Sequence, residues 1–355
     1  MNTHSRNCFL ILFFLFPAVL ISCKQRPAIN VQRAFYYWKA DERAFKNNEI
    51  AAIDALGIKK LYVKFFEVEQ HKLFGTRPVS KTDLHFNFSY GEHNDSLLER
   101  LDIIPVVFIK NEVLVQATNA ELDSLAANIL FLVQKRYSEH HVSSAATWNE
   151  LQIDCDWTAT VKDKYFYLLK ALKQRSKKIL SCTLRLYPYK YPKLMGVPPV
   201  DKAMLMCYNL DNPLAHDNTN SILDVDELKK YLTSNSYPLH LDIALPLNSW
   251  ILCFQNDRFT GILRNVNDIR TIAIKEKPLW YRVTTDTAIG DMYLRAGDQL
   301  KYEEVTTAQL EKAITLLKDR VTLSGKTTIS FFHLDEQILN KYNNETLDHL
   351  YNSAK

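Results

Sequence analysis

Eight short apolar segments alternate with helix-like segments along this chain, and this alternation strongly limits the folds open to it. The apolar segments are rich in β-branched and aromatic residues, and they are residues 34–38, 60–68, 103–109, 151–158, 179–186, 203–208, 239–245 and 327–332. Strands that alternate with amphipathic helices are typical of parallel α/β architecture. Because eight such strands are the number that closes a TIM barrel, we predict a (β/α)₈ TIM-like barrel over residues 34–355.

One segment departs from the alternation. Residues 254–305, between the seventh and eighth strands, contain turn sequences at Gln255–Arg258 and Arg295–Asp298 with alternating residues on either side. Such turns are typical of β-hairpins. We therefore predict a β-hairpin insertion on the rim of the barrel rather than an independent domain. The chain has only 8 Gly and no Gly-rich phosphate loop, which argues against a nucleotide-binding fold.

The N-terminal residues have the pattern of a targeting segment. Residues 1–22 combine the basic Arg6 with an apolar run that is too short to cross a membrane comfortably. The run ends in Leu20–Cys23, which resembles the lipobox of bacterial lipoproteins. The resemblance implies a signal peptide over 1–22, lipidation of Cys23 and a lipidated tether over 23–33. The alternative is a secretory signal in which the cysteine has no role.

The lipobox resemblance also implies a location. The protein would be lipid-anchored to a membrane of the bacterial cell envelope, with the outer membrane favoured and the domain outside the cytoplasm. We expect membrane contact through the N-terminal lipid only. The formal net charge of +4 is mild and unclustered, so we expect no nucleic-acid partner.

The remaining cysteines give no sign of a metal site. Cys155, Cys182, Cys207 and Cys253 all lie in apolar, strand-like segments without metal-type spacing. Buried free thiols are expected, with a disulfide between neighbouring strands as the alternative. We expect no metal and no cofactor.

The fourth predicted strand, within residues 151–158, carries two carboxylates two positions apart. Because side chains alternate along a strand, Gln152, Asp154 and Asp156 share one face, while Trp157 belongs to the opposite face. Two neighbouring carboxylates on an apolar strand repel each other. Such a pair requires a cation, a hydrogen-bond network or a chemical task, unless both acids are simply solvated at the strand end.

The working groups of such barrels lie at the C-terminal ends of the strands. The candidate catalytic groups are Asp154, Asp156 and Tyr208. The candidate substrate-binding groups are Trp38, Glu67, Arg185, Tyr187 and Asp242. We expect Lys64 and Arg185 to balance the charges of Asp154 and Asp242. The alternative is that this balance of charges is purely structural.

Two motifs resemble a known family. Asp154–Thr158 resembles the Asp-x-Asp-x-Glu signature on the fourth strand of family 18 glycoside hydrolases, and Met206–Asn209 is similar to that family's Met-x-Tyr-Asp. The segment Tyr36–Trp38 is also compatible with the first strand of that family. More broadly, the chain looks like uncharacterised bacterial lipoproteins with glycoside-hydrolase-like barrels. The resemblance implies a polysaccharide or oligosaccharide partner outside the cytoplasm.

The chain departs from the family pattern at the proton donor. Thr158 stands where the family has its acidic Glu, and Asn209 replaces the acid of the sixth strand. Three outcomes stay open. Asp156 acts as the acid with a raised pKa while Asp154 stays ionised; an acid from another strand takes over; or a non-catalytic barrel binds glycan or protein. A metal-dependent hydrolase using Asp154, Asp156 and Asp242 is a further alternative, although no histidines lie at the strand ends.

Overall fold

A computed structural model describes residues 29–39, 45–79, 100–140, 147–233, 236–263, 268–290 and 292–355. The predicted signal peptide and Cys23 lie outside these residues. No helix within the described ranges is long and apolar enough to cross a membrane.

Eight parallel strands close into a barrel, which confirms the predicted (β/α)₈ TIM-like fold. With strands numbered along the chain, the barrel contains β1 (Asn30–Tyr37), β2 (Lys60–His71), β4 (Asp102–Ile109), β5 (Glu150–Asp154), β6 (Ile179–Arg185), β7 (Lys202–Met206), β8 (His240–Pro246) and β16 (Lys326–Phe332). Each strand pairs with its neighbours in chain order, and β1 pairs with both β2 and β16 to close the ring. A short β3 (Gly75–Val79) pairs antiparallel with the end of β2.

Helices pack around the barrel and extend its rim. They are α1 (Asn47–Ala55), α2 (Asn111–Val115), α3 (Asn119–His140), α4 (Lys162–Ser176), α5 (Leu186–Lys190), α6 (Pro192–Met195), α7 (Val225–Tyr231), α8 (Thr307–Arg320), α9 (Glu336–Lys341) and α10 (Asn344–Ser353). Side chains at the starts of two helices explain where they begin. Asp224 accepts hydrogen bonds from the first turn of α7, and Thr306 forms a capping box with Gln309 at α8.

Strand alternation divides the core into two layers. Outward-facing residues such as Phe35, Leu61 and Ile153 join the large apolar cluster between barrel and helices. Inward-facing residues such as Tyr36 and Met206 form a smaller cluster in the lumen. The lumen is therefore filled by side chains, and any open space lies at its ends.

A bulge in β2 changes which side chains face the lumen. The pairing of β2 with β4 shifts register between Lys64 and Phe66. As a result Phe65 and Phe66 both join the outer apolar cluster. Lys64 and Glu67, which simple alternation places on opposite faces, form an ion pair of 2.8 Å.

The segment between β8 and β16 folds as β-hairpins, as predicted. Its strands are β9 (Trp250–Gln255), β10 (Arg258–Leu263), β11 (Ala273–Lys277), β12 (Trp280–Val283), β13 (Thr287–Ile289), β14 (Met292–Leu294) and β15 (Gln299–Glu303). Five of them form an antiparallel sheet in the order β10-β9-β15-β12-β11, and β13 pairs with β14. The first strand of the sheet begins at Trp250, four residues before residue 254, where the insertion was predicted to begin.

Buried charges attach this sheet to the loop that follows β7. Lys301 and Glu303 are fully buried and lie 3.0 Å apart. Glu303 accepts hydrogen bonds from Ser221, and Lys301 donates to the carbonyl of Ala215 at 3.0 Å. Each of the two buried charges has one partner in the sheet and one in the loop. These contacts therefore hold the sheet at a defined place on the rim.

Among the residues that the structure describes, the cysteines are buried free thiols rather than disulfides. The four described thiols are Cys155, Cys182, Cys207 and Cys253.

Candidate active site

A cavity of about 220 Å³ lies at the C-terminal mouth of the barrel. Its lining residues come from the ends of seven strands and the positions just beyond them, and they are Tyr36, Trp38, Glu67, Phe108, Asp154, Asp156, Arg185, Met206, Tyr208, Asn209 and Phe332. The structure thus brings together both candidate aspartates, Tyr208, Trp38, Glu67 and Arg185. Parallel strands deliver these side chains to one place because their carboxyl ends share one edge of the barrel.

Asp154, the last residue of β5, is the partly buried acid of the cavity. Thr183 on the neighbouring β6 donates a hydrogen bond of 2.6 Å to its carboxyl group. Burial raises the pKa of Asp154 to about 6, the hydrogen bond from Thr183 opposes this rise, and the nearby charge of Asp156 adds to it. Asp154 therefore exchanges its proton near pH 6, well above the range of an ordinary aspartate.

Asp156 is more open and lies beside a cation. Its side chain is 57% exposed, and its carboxylate lies 3.4 Å from the guanidinium of Arg185. The side chain of Asn111 donates a hydrogen bond to the Asp156 carbonyl.

These contacts bear on the first of the three outcomes left open by the sequence, in which Asp156 acts as the acid and Asp154 stays ionised beside Lys64 or Arg185. In the structure, the ion pairs of these two cations are with other acids: Arg185 pairs with Asp156, and Lys64 pairs with Glu67. Burial raises the pKa of Asp154 itself.

Aromatic rings form one wall of the cavity. The rings of Tyr208 and Phe332 are 5.6 Å apart, and those of Trp38 and Phe332 are 6.2 Å apart. The ammonium of Lys64 lies 5.2 Å from the centre of the Trp38 ring. Such a wall offers both apolar contact and ring faces to a ligand.

Tyr208 supplies a hydroxyl group to the cavity. Burial raises its pKa well above the ordinary tyrosine value, so the hydroxyl stays a hydrogen-bond donor at neutral pH. The next residue, Asn209, has a left-handed backbone with φ of 54°, a conformation that asparagine adopts more readily than most residues. The Asn209 carbonyl lies 3.5 Å from the guanidinium of Arg185.

Two candidate substrate-binding residues lie away from the cavity. Asp242 is 2% exposed; its carboxylate lies 2.9 Å from Lys202, and it accepts a hydrogen bond of 2.6 Å from the Thr328 N–H. Tyr187 lies in α5, where its ring is 4.8 Å from that of Tyr191. Neither lines this cavity: Asp242 lies near the start of β8, toward the opposite end of the lumen, and Tyr187 lies on a short helix beyond β6.

The Asp154–Thr158 motif, at the end of β5, ends differently from the family pattern. Trp157 packs toward the helices as alternation predicts, with its ring 5.2 Å from that of Tyr165. Thr158 is exposed, and its hydroxyl lies 2.7 Å from that of Thr160. It does not line the cavity. The position that resembles the family's acid therefore provides no acid to this site.

Sequence reasoning missed two lining residues, Phe108 and Phe332. Phe108 has the same strand parity as the lumen residues Ile104 and Val106, and Phe332 is the last residue of β16. Parity at the strand ends was thus the signal that would have identified them.

A second group of charges closes the opposite end of the lumen. Glu150 lies 3.3 Å from Lys60 and 2.9 Å from Lys202, and Lys202 also pairs with Asp242. All four residues lie at or near the starts of their strands. This network places Asp242 apart from Asp154 and Asp156, so the three aspartates of the metal alternative do not meet. Within the described ranges, no group of three or more His, Cys, Asp or Glu side chains could hold a metal ion.

The fold is similar to that of solved lytic enzymes. The spore cortex-lytic enzyme SleL of Bacillus cereus has a TM-score of 0.53 and 14% identity, over 93% of this chain and 75% of that one. SleL of Bacillus megaterium QM B1551 has a TM-score of 0.52 and 12% identity, over 92% and 75%. These likenesses show the fold. The GH18 chitinase ChiB of Flavobacterium johnsoniae has a TM-score of 0.47 and 12% identity, over 91% and 94%.

No protein-family model and no curated protein sequence matches the chain.

Proposed function

We propose that this protein is a glycoside hydrolase-like barrel that acts on a polysaccharide outside the cytoplasm. The observation that carries the proposal is the pairing of two unlike aspartates in one cavity. Burial raises the pKa of Asp154 to about 6, whereas Asp156 lies beside a guanidinium. Glycoside hydrolysis commonly uses one protonated and one ionised carboxyl group.

Each lining group has a role in this proposal. Asp154 donates its proton to the oxygen of the glycosidic bond as that bond breaks, and Asp156 stabilises the positive charge that develops on the sugar. A water molecule then adds to the sugar carbon and returns a proton to Asp154. Tyr208 donates a hydrogen bond to a substrate oxygen. Trp38 and Phe332 pack against the apolar face of a sugar ring.

A non-catalytic glycan-binding protein is the second candidate, and two observations favour it. Thr158 removes the acid that the resembling family uses, and it lies outside the cavity. The other two acids of the cavity are in ion pairs, Glu67 with Lys64 and Asp156 with Arg185. A barrel of this kind would use the same aromatic wall to hold a glycan without cleaving it.

A polysaccharide panel that includes chitin and peptidoglycan separates the two candidates. The chain from Lys24 onward keeps every element that the structure describes, and it should release soluble sugars from at least one polymer. Asp154→Asn and Asp156→Asn should each lower the rate by about 100-fold or more, because acid catalysis commonly contributes that much. The rate of the unaltered chain should fall as the pH rises through about 6, where Asp154 loses its proton.

A gain-of-function variant serves as the matched control. Thr158→Glu restores the acid at the position that resembles the family's proton donor. If the barrel only binds glycan, all three variants bind the polymer as the unaltered chain does and none releases product. Faster hydrolysis by Thr158→Glu alone would show that the fold still places a donor there, and that Asp154 does not act as one.

The lipid anchor on Cys23 is part of the proposal. The lipobox resemblance of Leu20–Cys23 supports it. Expression of the full chain in a bacterium with labelled palmitate should give a labelled envelope protein. Cys23→Ala should abolish the label, and a label that persists in this variant would contradict the assignment.

A further inference from the structure

A larger open cavity, of about 530 Å³, lies at the opposite end of the barrel. The start of β1 forms its centre, since Asn30 lines it. Lys326 pairs with Asn30 in the β1–β16 register, and the Lys59 N–H donates to the Arg33 carbonyl on the other side of β1. Two lysines therefore flank the point where the chain enters the barrel.

The charge of this cavity is predominantly positive. Lys59, Lys326 and Lys355 are exposed lining residues, and within the described ranges none of them forms an ion pair. The acidic side chain in the lining, Asp54, lies 3.0 Å from Arg100 and is thus already paired. The surface therefore favours an anionic partner.

The covalent chain ties this surface to the proposed lipid anchor. Asn30 follows Cys23 by seven residues, which span at most about 25 Å when fully extended. Lys24 and Arg26 lie within that connection. A lipid on Cys23 would hold the lysine-flanked cavity within the reach of a bilayer surface.

We propose that the N-terminal end of the barrel docks on an anionic phospholipid surface, through the cavity flanked by Lys59 and Lys326. The inference rests on the proposed anchoring of Cys23. Each lysine near an anionic membrane contributes a favourable attraction that salt screens. Because the active-site cavity lies at the other end of the strands, roughly 20 Å away, this docking directs its mouth away from the membrane.

Vesicle sedimentation tests the docking without the lipid anchor. The chain from Lys24 onward should bind vesicles of equal parts phosphatidylcholine and phosphatidylglycerol, but not phosphatidylcholine alone. The double variant Lys59→Gln, Lys326→Gln should weaken this binding by about 30-fold. The control Lys170→Gln, Lys312→Gln removes the same charge from exposed positions on α4 and α8, and it should change binding by less than about threefold.

Three results would overturn the proposal. Equal losses in both double variants would assign the binding to net charge rather than to this surface, and sedimentation independent of phosphatidylglycerol would exclude an anionic headgroup as the partner. Free inorganic phosphate should not compete at the same ionic strength; competition would indicate a phosphate site instead of a membrane surface. The assay contains no polysaccharide and no lipidated Cys23, so its outcome is independent of the hydrolysis and palmitate experiments.

Discussion

The two ends of the barrel lumen use the same residue types in opposite ways. At the N-terminal end, Lys202 is mostly buried and lies 2.9 Å from each of two buried acids, Glu150 and Asp242. At the C-terminal mouth, Asp156 and Arg185 are partly exposed and lie 3.4 Å apart beside an open cavity. One end is closed by its own charges, while the other leaves its charges accessible to a ligand.

The difference shows which charges can serve chemistry. Buried charges that neutralise one another cannot exchange partners without a large loss of free energy. A half-exposed pair loses little when a ligand replaces one contact, since water already screens it. Position along the strand therefore separates the carboxylates that are enclosed in buried ion pairs from those that a ligand can reach, although both kinds face the same lumen.

Removal of Asp242 should have the largest effect on stability. Burial alone would raise its pKa, but the hydrogen bond from His240, the charge and hydrogen bond of Lys202 and the Thr328 N–H lower it to about 2. Asp242→Ala leaves Lys202 partly unpaired, and it should lower the free energy of unfolding by about 3–5 kcal/mol. Urea unfolding at neutral pH measures this loss.

An exposed ion pair provides the control for this variant. Asp54→Ala breaks the contact of Asp54 with Arg100 at the surface and should cost less than about 1 kcal/mol. Equal losses in the two variants would contradict the distinction between a closed end and an open one.

Asp154 should give the next largest effect, and this effect depends on pH. Its pKa is about 6 in the folded protein and near 3.8 in an unfolded chain, so the folded state binds the proton more tightly between these values. The free energy of unfolding should therefore fall by about 2 kcal/mol as the pH rises from 4 to 6, and this contribution should change little above pH 7.

Asp154→Asn isolates that contribution, because the amide oxygen can still accept the hydrogen bond from Thr183. The variant should gain stability relative to the unaltered chain as the pH rises from about 4 to about 7. Urea unfolding of both proteins at each pH measures this difference in the free energy of unfolding. A constant difference across this range would show that Asp154 is solvated as freely as Asp156.

The sequence predicted the fold well because alternation and helix periodicity are local properties. All eight barrel strands and the inserted hairpins follow from them, as does the outward direction of Trp157. The pairing of charges was not predictable in this way. The bulge after Lys64 brings it to Glu67, and the register of neighbouring strands sets Asp242 near Lys202. Both depend on contacts between strands that no single segment encodes.

The smallest effect on stability is expected at the mouth, where the effect on function should be greatest. Asp156→Asn and Arg185→Gln should each change the free energy of unfolding by less than about 1 kcal/mol, and a double-mutant cycle should give a coupling of about 0.2–1 kcal/mol. The same variants should lower polysaccharide hydrolysis or binding, because both side chains line the cavity. A coupling of several kcal/mol would mean that this pair, like Lys202 and Asp242, holds the barrel together, and the mouth would then have no charge free to meet a substrate.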